Sequence, residues 1–243
     1  MENKVYVVGM GPGDAGLMCQ RADETLKECD VIIGYTVYVD LLRDRYPGKE
    51  FLTTPMTQEA KRCRMAFEEA RKGKAVGMVC SGDAGVYGMS GLILEIGEEY
   101  PEISVEVIPG ITAALSGGAV LGAPLTHDFA VISLSDRLTP WETIESRLYH
   151  AASGDFSICI YNPASKGRPD HLKKACQILQ RVLPGDRLCG MVENIGRDGE
   201  KTRLCTLKEL ENAEVNMFTT VFIGNSATKE MGGRMVTPRG YKI

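Results

Sequence analysis

Three glycine-rich stretches carry the residue types best suited to holding a ligand. They read GMGPGD at residues 9–14, SGDAGVYG at residues 81–88 and PGITA at residues 109–113. Glycines let backbone amides and carbonyls approach a bound molecule closely. The acid Asp83 suits a ligand that is cationic or rich in hydroxyl groups. We therefore expect these stretches to form a binding site in which the backbone does much of the work.

The elements around these stretches are expected to bring them together. Each stretch follows a short apolar run that is typical of a buried strand. The second stretch is followed by residues 89–100, where the spacing of the apolar residues predicts a helix. Repeated strand and helix patterns favour a mostly parallel sheet. Because parallel strands present their carboxyl ends at one edge, residues 81–87 and 109–113 should open onto the same side.

A second α/β domain is predicted beyond the glycines and proline of residues 117–124. We place the domains at residues 1–120 and 125–243. Apolar runs predict strands over residues 129–134, 157–161, 188–192 and 219–224, with residues 202–205 as a hairpin partner. The second domain should therefore contain a mixed sheet with helices. Thr139 as N-cap, Pro140 at the first helical position and Glu142 as the capping-box acid predict a helix start.

Composition narrows the functional class. The chain has 243 residues and a formal net charge of −4, which argues against nucleic-acid binding through a basic surface. None of the eight cysteines forms a Cys-x-x-Cys arrangement, so we expect buried free thiols in a reducing cytosol. The three histidines are too scattered to indicate a metal site, and we predict no bound metal.

The expected location is the cytoplasm. No apolar run approaches the roughly 20 residues that a membrane-spanning helix needs. The first predicted strand begins at Lys4, which leaves no room for a signal peptide. We therefore expect a protein without a membrane partner.

A nucleotide-binding module is the alternative from a different class, and two features of the glycine loops disfavour it. Pro12 stands where a dinucleotide-binding motif begins its helix, and no acid follows the next predicted strand to bind a ribose. The chain also lacks a GxxxxGK[ST] motif, and the three loops contain no lysine or arginine to meet a phosphate.

The three glycine stretches, in this order and spacing, resemble the tetrapyrrole methylases. This family uses S-adenosylmethionine to methylate rings derived from uroporphyrinogen. Two further stretches, SLSDRLTPW at residues 133–141 and YNPASKGR at residues 161–168, are similar to one branch of the family. That branch comprises the C17-methyltransferases that act on precorrin-3B or cobalt-factor III in cobalamin synthesis. The resemblance covers essentially the whole chain.

The resemblance implies two α/β domains with a cleft between them, S-adenosylmethionine at the domain junction, and a homodimer. It also implies methyl transfer to a ring carbon, accompanied by contraction of the macrocycle. The implied cofactor contacts are Pro12, Ser81, Gly82, Asp83, Val86, Thr112, Ala113, Asn162 and Ile195.

The resemblance places the first glycine loop beside the substrate. Gly11 and Gly13 are therefore expected substrate contacts, and Asp14 is the first choice for a catalytic acid or base. His127 is a second catalytic candidate, with interdomain packing as an equal alternative. Arg168 is the expected ligand of a substrate carboxylate, because arginine binds carboxylates in bidentate fashion.

Asp136 is assigned to the substrate site, with capping of the following turn as its alternative. Other members of the same fold act at another ring carbon, or on a protein histidine as diphthine synthase does, and both remain alternatives. Whether the ring carries cobalt also remains open.

Overall fold

The computed structural model describes residues 3–242, which form two compact units. The first unit ends at Thr112 and the second begins at Ala113. The helix that begins at Ala113, placed by the sequence analysis in the first domain, packs on strands of the second unit. Its small residues allow that close approach, since a Cβ on Gly117 would lie 2.8 Å from Ile195 Cδ1.

The first unit contains an entirely parallel five-stranded sheet, which confirms the predicted mostly parallel sheet. Helices pack on both of its faces. The strand order is β3-β2-β4-β1-β5. Its elements are β1 (Lys4–Gly9), α1 (Gln20–Glu28), β2 (Val31–Tyr35), α2 (Thr36–Asp40), β3 (Glu50–Thr54), α3 (Glu59–Arg71), β4 (Val76–Cys80), α4 (Ser90–Gly97) and β5 (Ser104–Ile108). A single turn of 3₁₀ helix, Ala15–Leu17, precedes α1.

Alternating side chains of the first sheet supply two separate hydrophobic layers. Val5 and Val7 of β1 belong to the cluster that contains residues of α3 and α4, whereas Val8 belongs to the cluster with residues of α1. Every residue of β4 is buried. A strand that is buried on both faces carries an uninterrupted apolar run, which explains the composition of residues 76–80.

The second unit contains a mixed sheet in the order β10-β9-β11-β8-β7, in which only β7 and β8 pair in parallel. Its elements are α5 (Ala113–Leu121), β6 (Gly122–Ala123), β7 (Phe129–Ser133), α6 (Trp141–Ser153), β8 (Ser157–Tyr161), α7 (His171–Leu179), β9 (Leu188–Glu193), β10 (Lys201–Thr206), α8 (Leu207–Leu210), β11 (Thr219–Ile223), β12 (Lys229–Met231) and β13 (Arg234–Val236). The predicted hairpin of β9 and β10 is confirmed, with Cys205 opposite Cys189.

The second sheet also separates its side chains by alternation. Ile158 and Ile160 of β8 pack in the cluster that contains residues of α6, α7 and α8. Cys159, between them, packs on the opposite face with Ala114 and Leu121 of α5. Because the side-chain period of a strand is two, one five-residue strand serves both layers.

Two details of the second unit differ from the sequence prediction. The helix α6 begins at Trp141 with Pro140 as its N-cap, so the predicted Thr139 capping box is wrong. The Pro140 carbonyl accepts from the amides of Thr143 and Ile144 instead. A small sheet, β12-β13-β6, was not predicted, because its strands are only two or three residues long.

The eight cysteines are free thiols, and seven of them are buried. This confirms the prediction of buried, unpaired cysteines. None of the helices within residues 3–242 combines the length and apolar character needed to cross a bilayer.

Candidate functional site

The three glycine stretches of the first unit lie at the carboxyl ends of β1, β4 and β5, which are neighbours in the sheet. We call residues 10–14 loop A, residues 81–89 loop B and residues 109–112 loop C. Loops A and B are joined by two backbone hydrogen bonds. The Gly11 amide donates to the Gly82 carbonyl over 3.0 Å, and the Gly82 amide donates to the Gly11 carbonyl over 2.7 Å. The strand order thus brings together stretches separated by about 70 residues in sequence.

Glycine is required where these loops meet. A Cβ on Gly110 would lie 2.2 Å from the Gly82 carbonyl oxygen and 2.5 Å from the Gly9 carbonyl oxygen. A Cβ on Gly9 would lie 2.6 Å from the Gly110 amide nitrogen. These atoms belong to the backbone and cannot rotate away as a flexible side chain would. The three loops therefore form a backbone cradle that has no room for side chains at its base.

Asp83 fastens this cradle with both carboxylate oxygens. Its Oδ1 accepts from the amides of Gly85 at 2.7 Å and Val86 at 3.0 Å within loop B. Its Oδ2 accepts from the amide of Gly110 in loop C at 2.9 Å. A carboxylate that accepts three backbone N–H groups is a strong local brace. Asp83 therefore organises loops B and C, whether or not it also contacts a ligand.

Asp14 lies at the end of loop A and is exposed. Its Oδ1 accepts from the Gly16 amide at 2.6 Å, which caps the 3₁₀ turn Ala15–Leu17. Its Oδ2 has no partner among the described residues. One oxygen of Asp14 thus fixes the side chain, while the other is left to accept a proton or a hydrogen bond from a ligand.

The other first-unit residues of the predicted site lie in the same three loops. Pro12 is buried in loop A, Ser81 is half-buried at the start of loop B, and Thr112 is half-buried at the end of loop C. The Val86 side chain is exposed, with 36% of the residue accessible. Gly11 and Gly13 have positive φ angles of 76° and 152°, which side-chain-bearing residues rarely adopt. The structure thus brings these predicted residues to one edge of the sheet.

In the second unit, the predicted residues Asn162, Asp136 and Arg168 lie beyond the carboxyl ends of the parallel strands β7 and β8. Asn162 adopts a positive φ of 54°, a conformation that asparagine tolerates better than most residues. Its Nδ2 donates to Ser133 Oγ over 2.9 Å, and that hydroxyl also accepts from the Ser135 amide. These bonds tie the loop after β8 to the loop after β7.

Arg168 is held by the two loops. Its Nη1 donates to Ser135 Oγ at 2.6 Å and lies 3.5 Å from Asp136 Oδ1. Its Nε donates to Ser165 Oγ at 3.1 Å. Asp136 Oδ2 also lies 3.0 Å from His171 Nε2, at the first residue of α7. The hydrogen bond from His171, together with the charge of Arg168, holds the pKa of Asp136 below its usual range.

The contacts of His127 are explained by a structural role. Its Nε2 lies 3.1 Å from the carbonyl oxygen of Pro238, in the C-terminal segment that follows β13. Arg239 donates to the Thr126 carbonyl, and the Thr237 amide donates to the Ala123 carbonyl. His127 therefore helps to attach the C-terminal segment to the chain before β7. Both residues belong to the second unit, so this contact indicates a structural role within that unit and not the interdomain packing that the sequence analysis set beside catalysis.

The last two predicted cofactor residues are Ala113 and Ile195. Ala113 is the first residue of α5 and is half-buried, and the next amide, of Ala114, donates to Tyr161 Oη at 2.6 Å. Ile195 is 6% exposed and belongs to the cluster beneath α5. Its side chain therefore serves the core, and only its backbone remains to meet a ligand.

Sequence reasoning missed His171 and the serines that hold Arg168. His171 was dismissed with the other histidines as too scattered for a metal site. Its partner Asp136 lies 35 positions earlier in the chain, so no local spacing could link them. The sequence feature that could have drawn attention to His171 is its position two residues after Pro169, at the start of the helix that follows YNPASKGR.

Comparison with known proteins identifies the family. Residues 4–211 match the family of tetrapyrrole (corrin/porphyrin) methylases. A protein of Salmonella typhimurium named as a probable cobalt-factor III C(17)-methyltransferase is 41% identical, over 98% of this chain and 99% of its own. The chain spans only about half the length of other curated relatives that it matches at 42% identity.

Solved structures give the same result. The crystal structure of the methyltransferase CobJ superimposes with a TM-score of 0.89 at 37% identity, covering 96% of this chain and 99% of that one. A uroporphyrin-III C-methyltransferase of Thermus thermophilus, complexed with S-adenosylhomocysteine, has the same fold, with a TM-score of 0.71 at 22% identity over 91% of this chain and 92% of its own. The chain therefore belongs to the tetrapyrrole methylases.

Proposed function

We propose that this protein transfers a methyl group from S-adenosylmethionine to C17 of cobalt-factor III or precorrin-3B, with contraction of the macrocycle, in cobalamin biosynthesis. The observation that carries the proposal is the backbone cradle of loops A, B and C, found in a chain that belongs to the tetrapyrrole methylases. The 41% identity to the Salmonella relative, over nearly the full length of both chains, supports the C17 branch.

The cradle fits a cofactor that is bound mainly through the backbone. Its base has no room for a Cβ at Gly9 or Gly110, so no side chain projects from these two positions. The carboxylate of Asp83, which braces loops B and C, adds negative charge that suits a sulfonium cation. In the first unit we assign cofactor contacts to Pro12, Ser81, Gly82, Asp83, Val86 and Thr112. In the second unit we assign them to Ala113, Asn162 and Ile195.

When bound, S-adenosylmethionine supplies an electrophilic methyl group on its sulfonium. The protein then needs to align the acceptor carbon with that methyl and to exclude water, and it needs no nucleophile of its own. The thiol closest to loop B in sequence, Cys80, is compatible with this task. Burial raises the pKa of Cys80 to about 11, so the thiol stays neutral and is a poor competitor for the methyl group.

Proton movement at the macrocycle is assigned first to Asp14. Its Oδ1 is fixed by the Gly16 amide, and its Oδ2 remains able to hold or accept a proton. His127 remains a second catalytic candidate, although its contact with Pro238 favours a structural role. Replacing Asp14 by asparagine keeps an oxygen for the Gly16 amide but removes the basic group, so it separates the two roles of this residue.

The carboxylate arms of the tetrapyrrole are assigned to Arg168, with Asp136 beside it, and the ring to loop A at Gly11 and Gly13. Arginine suits this role because its planar fork matches a carboxylate. We also propose a homodimer, as the resemblance implies, and a location in the cytoplasm, as the sequence analysis expects.

The test uses anaerobic incubation of the purified protein with S-adenosylmethionine and either cobalt-factor III or precorrin-3B. We expect one methyl group to appear in the tetrapyrrole by mass spectrometry, with release of S-adenosylhomocysteine. Methylation of a different tetrapyrrole alone would overturn the C17 assignment. Failure of the folded protein to bind S-adenosylhomocysteine in a calorimetric titration would overturn the methyltransferase assignment.

A further inference from the structure

We propose that His171 is a positioning residue for the substrate: through Asp136 it orients the guanidinium of Arg168 toward a carboxylate arm of the tetrapyrrole. The inference rests on the proposed function, and it adds a residue to the substrate site. Neither the motifs nor the spacing of the sequence had assigned a role to His171.

The three side chains form a continuous chain of contacts. His171 Nε2 lies 3.0 Å from Asp136 Oδ2, and the other oxygen of Asp136 lies 3.5 Å from Arg168 Nη1. The direction of the first bond follows from chemistry. With the pKa of Asp136 lowered, its carboxylate is ionised at neutral pH and can only accept, so Nε2 carries the proton.

His171 is the least exposed member of this chain of contacts. The side chains of His171, Arg168 and Asp136 are 11%, 20% and 37% exposed, respectively. The ring of His171 packs edge-on against Trp141, with centroids 4.9 Å apart and an interplanar angle of 75°. His171 is therefore the fixed inner member. It is too enclosed to meet a large substrate, whereas Asp136 and Arg168 reach the surface.

Arg168 keeps donors available after its protein contacts are made. Ser165 occupies Nε, and Ser135 and Asp136 occupy Nη1. Among the described residues, Nη2 has no hydrogen-bond partner. A guanidinium that is already held at Nε and Nη1, with Nη2 still able to donate, can bind a carboxylate without first being ordered, which lowers the entropic penalty of binding.

The alternative is a purely structural role, in which His171 only stabilises the loop after β7. The two roles differ in what a substitution changes. Loss of a brace would lower the melting temperature alone. Loss of positioning would raise the KM for the tetrapyrrole while leaving the KM for S-adenosylmethionine and the affinity for S-adenosylhomocysteine unchanged.

The experiment compares His171→Leu with His171→Gln. Leucine cannot donate to Asp136, whereas the amide nitrogen of glutamine lies at a similar distance from the backbone as Nε2 and can replace it. We expect His171→Leu to raise the KM for cobalt-factor III roughly tenfold, as for loss of one hydrogen bond to a charged group, and His171→Gln to restore most of the loss. His150→Leu, an exposed histidine on α6, is the matched control and should leave both KM values unchanged.

A double-mutant cycle tests the route through Arg168. In an Arg168→Ala background, His171→Leu should raise the KM for cobalt-factor III no further, because the group that it positions is gone. An equal, independent increase in both backgrounds would overturn the proposal. So would an unchanged KM in a folded His171→Leu variant. If that variant does not fold, the more exposed Asp136→Asn takes its place and should give the same KM increase.

Failure of the proposed function has a different signature. A wild-type protein that neither binds S-adenosylhomocysteine nor methylates cobalt-factor III would remove the methyltransferase assignment itself. A fully active wild type with a tetrapyrrole KM that is insensitive to His171 and Asp136 would remove only the positioning role.

Discussion

The strand ends of the two units are held together in different ways. In the first unit, loops A, B and C meet through backbone hydrogen bonds and a single carboxylate, and glycine is required at the contacts. In the second unit, the loops after β7 and β8 are joined largely through side chains, among them Ser133, Asn162 and Arg168. A backbone cradle tolerates few substitutions at its contacts, whereas a side-chain network can be altered residue by residue.

The largest effect is expected where a side chain enters the backbone cradle. Gly110→Ala places a Cβ 2.2 Å from the Gly82 carbonyl oxygen. Neither backbone can yield without moving its strand, so we expect a loss of about 3 kcal/mol in the free energy of unfolding and loss of measurable binding of S-adenosylhomocysteine. Thermal unfolding and calorimetric titration measure the two effects.

Gly91→Ala is the matched control. Gly91 lies inside α4 with no atom within 4 Å of an added Cβ. The free energy of unfolding of this variant should rise by up to about 1 kcal/mol, because alanine favours a helix more than glycine does. Equal behaviour of the two variants would contradict the idea of a cradle without room for side chains.

A smaller effect is expected from Asp83→Asn, which keeps the shape but removes one acceptor. The asparagine oxygen can still accept from Gly85 and Val86, but its NH₂ group faces the amide of Gly110 and cannot accept from it. We expect about 2 kcal/mol of destabilisation and weaker binding of S-adenosylhomocysteine.

Asp155→Asn serves as the control for Asp83→Asn, since Asp155 also braces a loop, by accepting from the Ser226 amide and hydroxyl. It should leave cofactor binding unchanged. If Asp83→Asn binds the cofactor as the wild type does, the brace between loops B and C has no part in forming the site.

A substitution in the side-chain network of the second unit should change the KM for one of the two substrates only. Arg168→Lys keeps the charge but loses the planar fork that contacts Ser135, Ser165 and Asp136. We expect the KM for cobalt-factor III to rise roughly tenfold, with the KM for S-adenosylmethionine unchanged in steady-state kinetics. A parallel rise in both KM values would show that Arg168 does not act on the tetrapyrrole alone.

The smallest effect concerns acid stability. The pKa of Asp136 is lowered in the folded protein, chiefly by the hydrogen bond from His171. A carboxyl whose pKa is lower when folded contributes stability above its unfolded pKa of about 4, and the contribution disappears as the pH falls through the folded pKa. Asp136→Asn should therefore lower the melting temperature slightly at about pH 6 and less so at about pH 3. A difference that grows on acidification would contradict this assignment.

Much of the fold was predictable because burial follows local periodicity. The apolar run over residues 75–80 predicted the central strand β4, and residues 202–205 were correctly predicted as the hairpin partner of β9. Element ends were less certain. Thr139 satisfied the composition of a capping box, yet the Pro140 carbonyl begins the hydrogen bonding of α6. A short polar motif allows more than one helix start, and packing of the helix selects among them.

By itself, the sequence determined most of the longer strands, that glycine-rich loops follow β1, β4 and β5, and that the chain resembles the tetrapyrrole methylases. Each of these features is local and can be read from neighbouring residues. Only the tertiary structure decided the pairings. Strand order sets Asp83 against Gly110, 27 positions away, and the pairing of β7 with β8 brings Asp136 to Arg168 and His171. A side chain finds such partners through sheet topology, which local patterns do not encode.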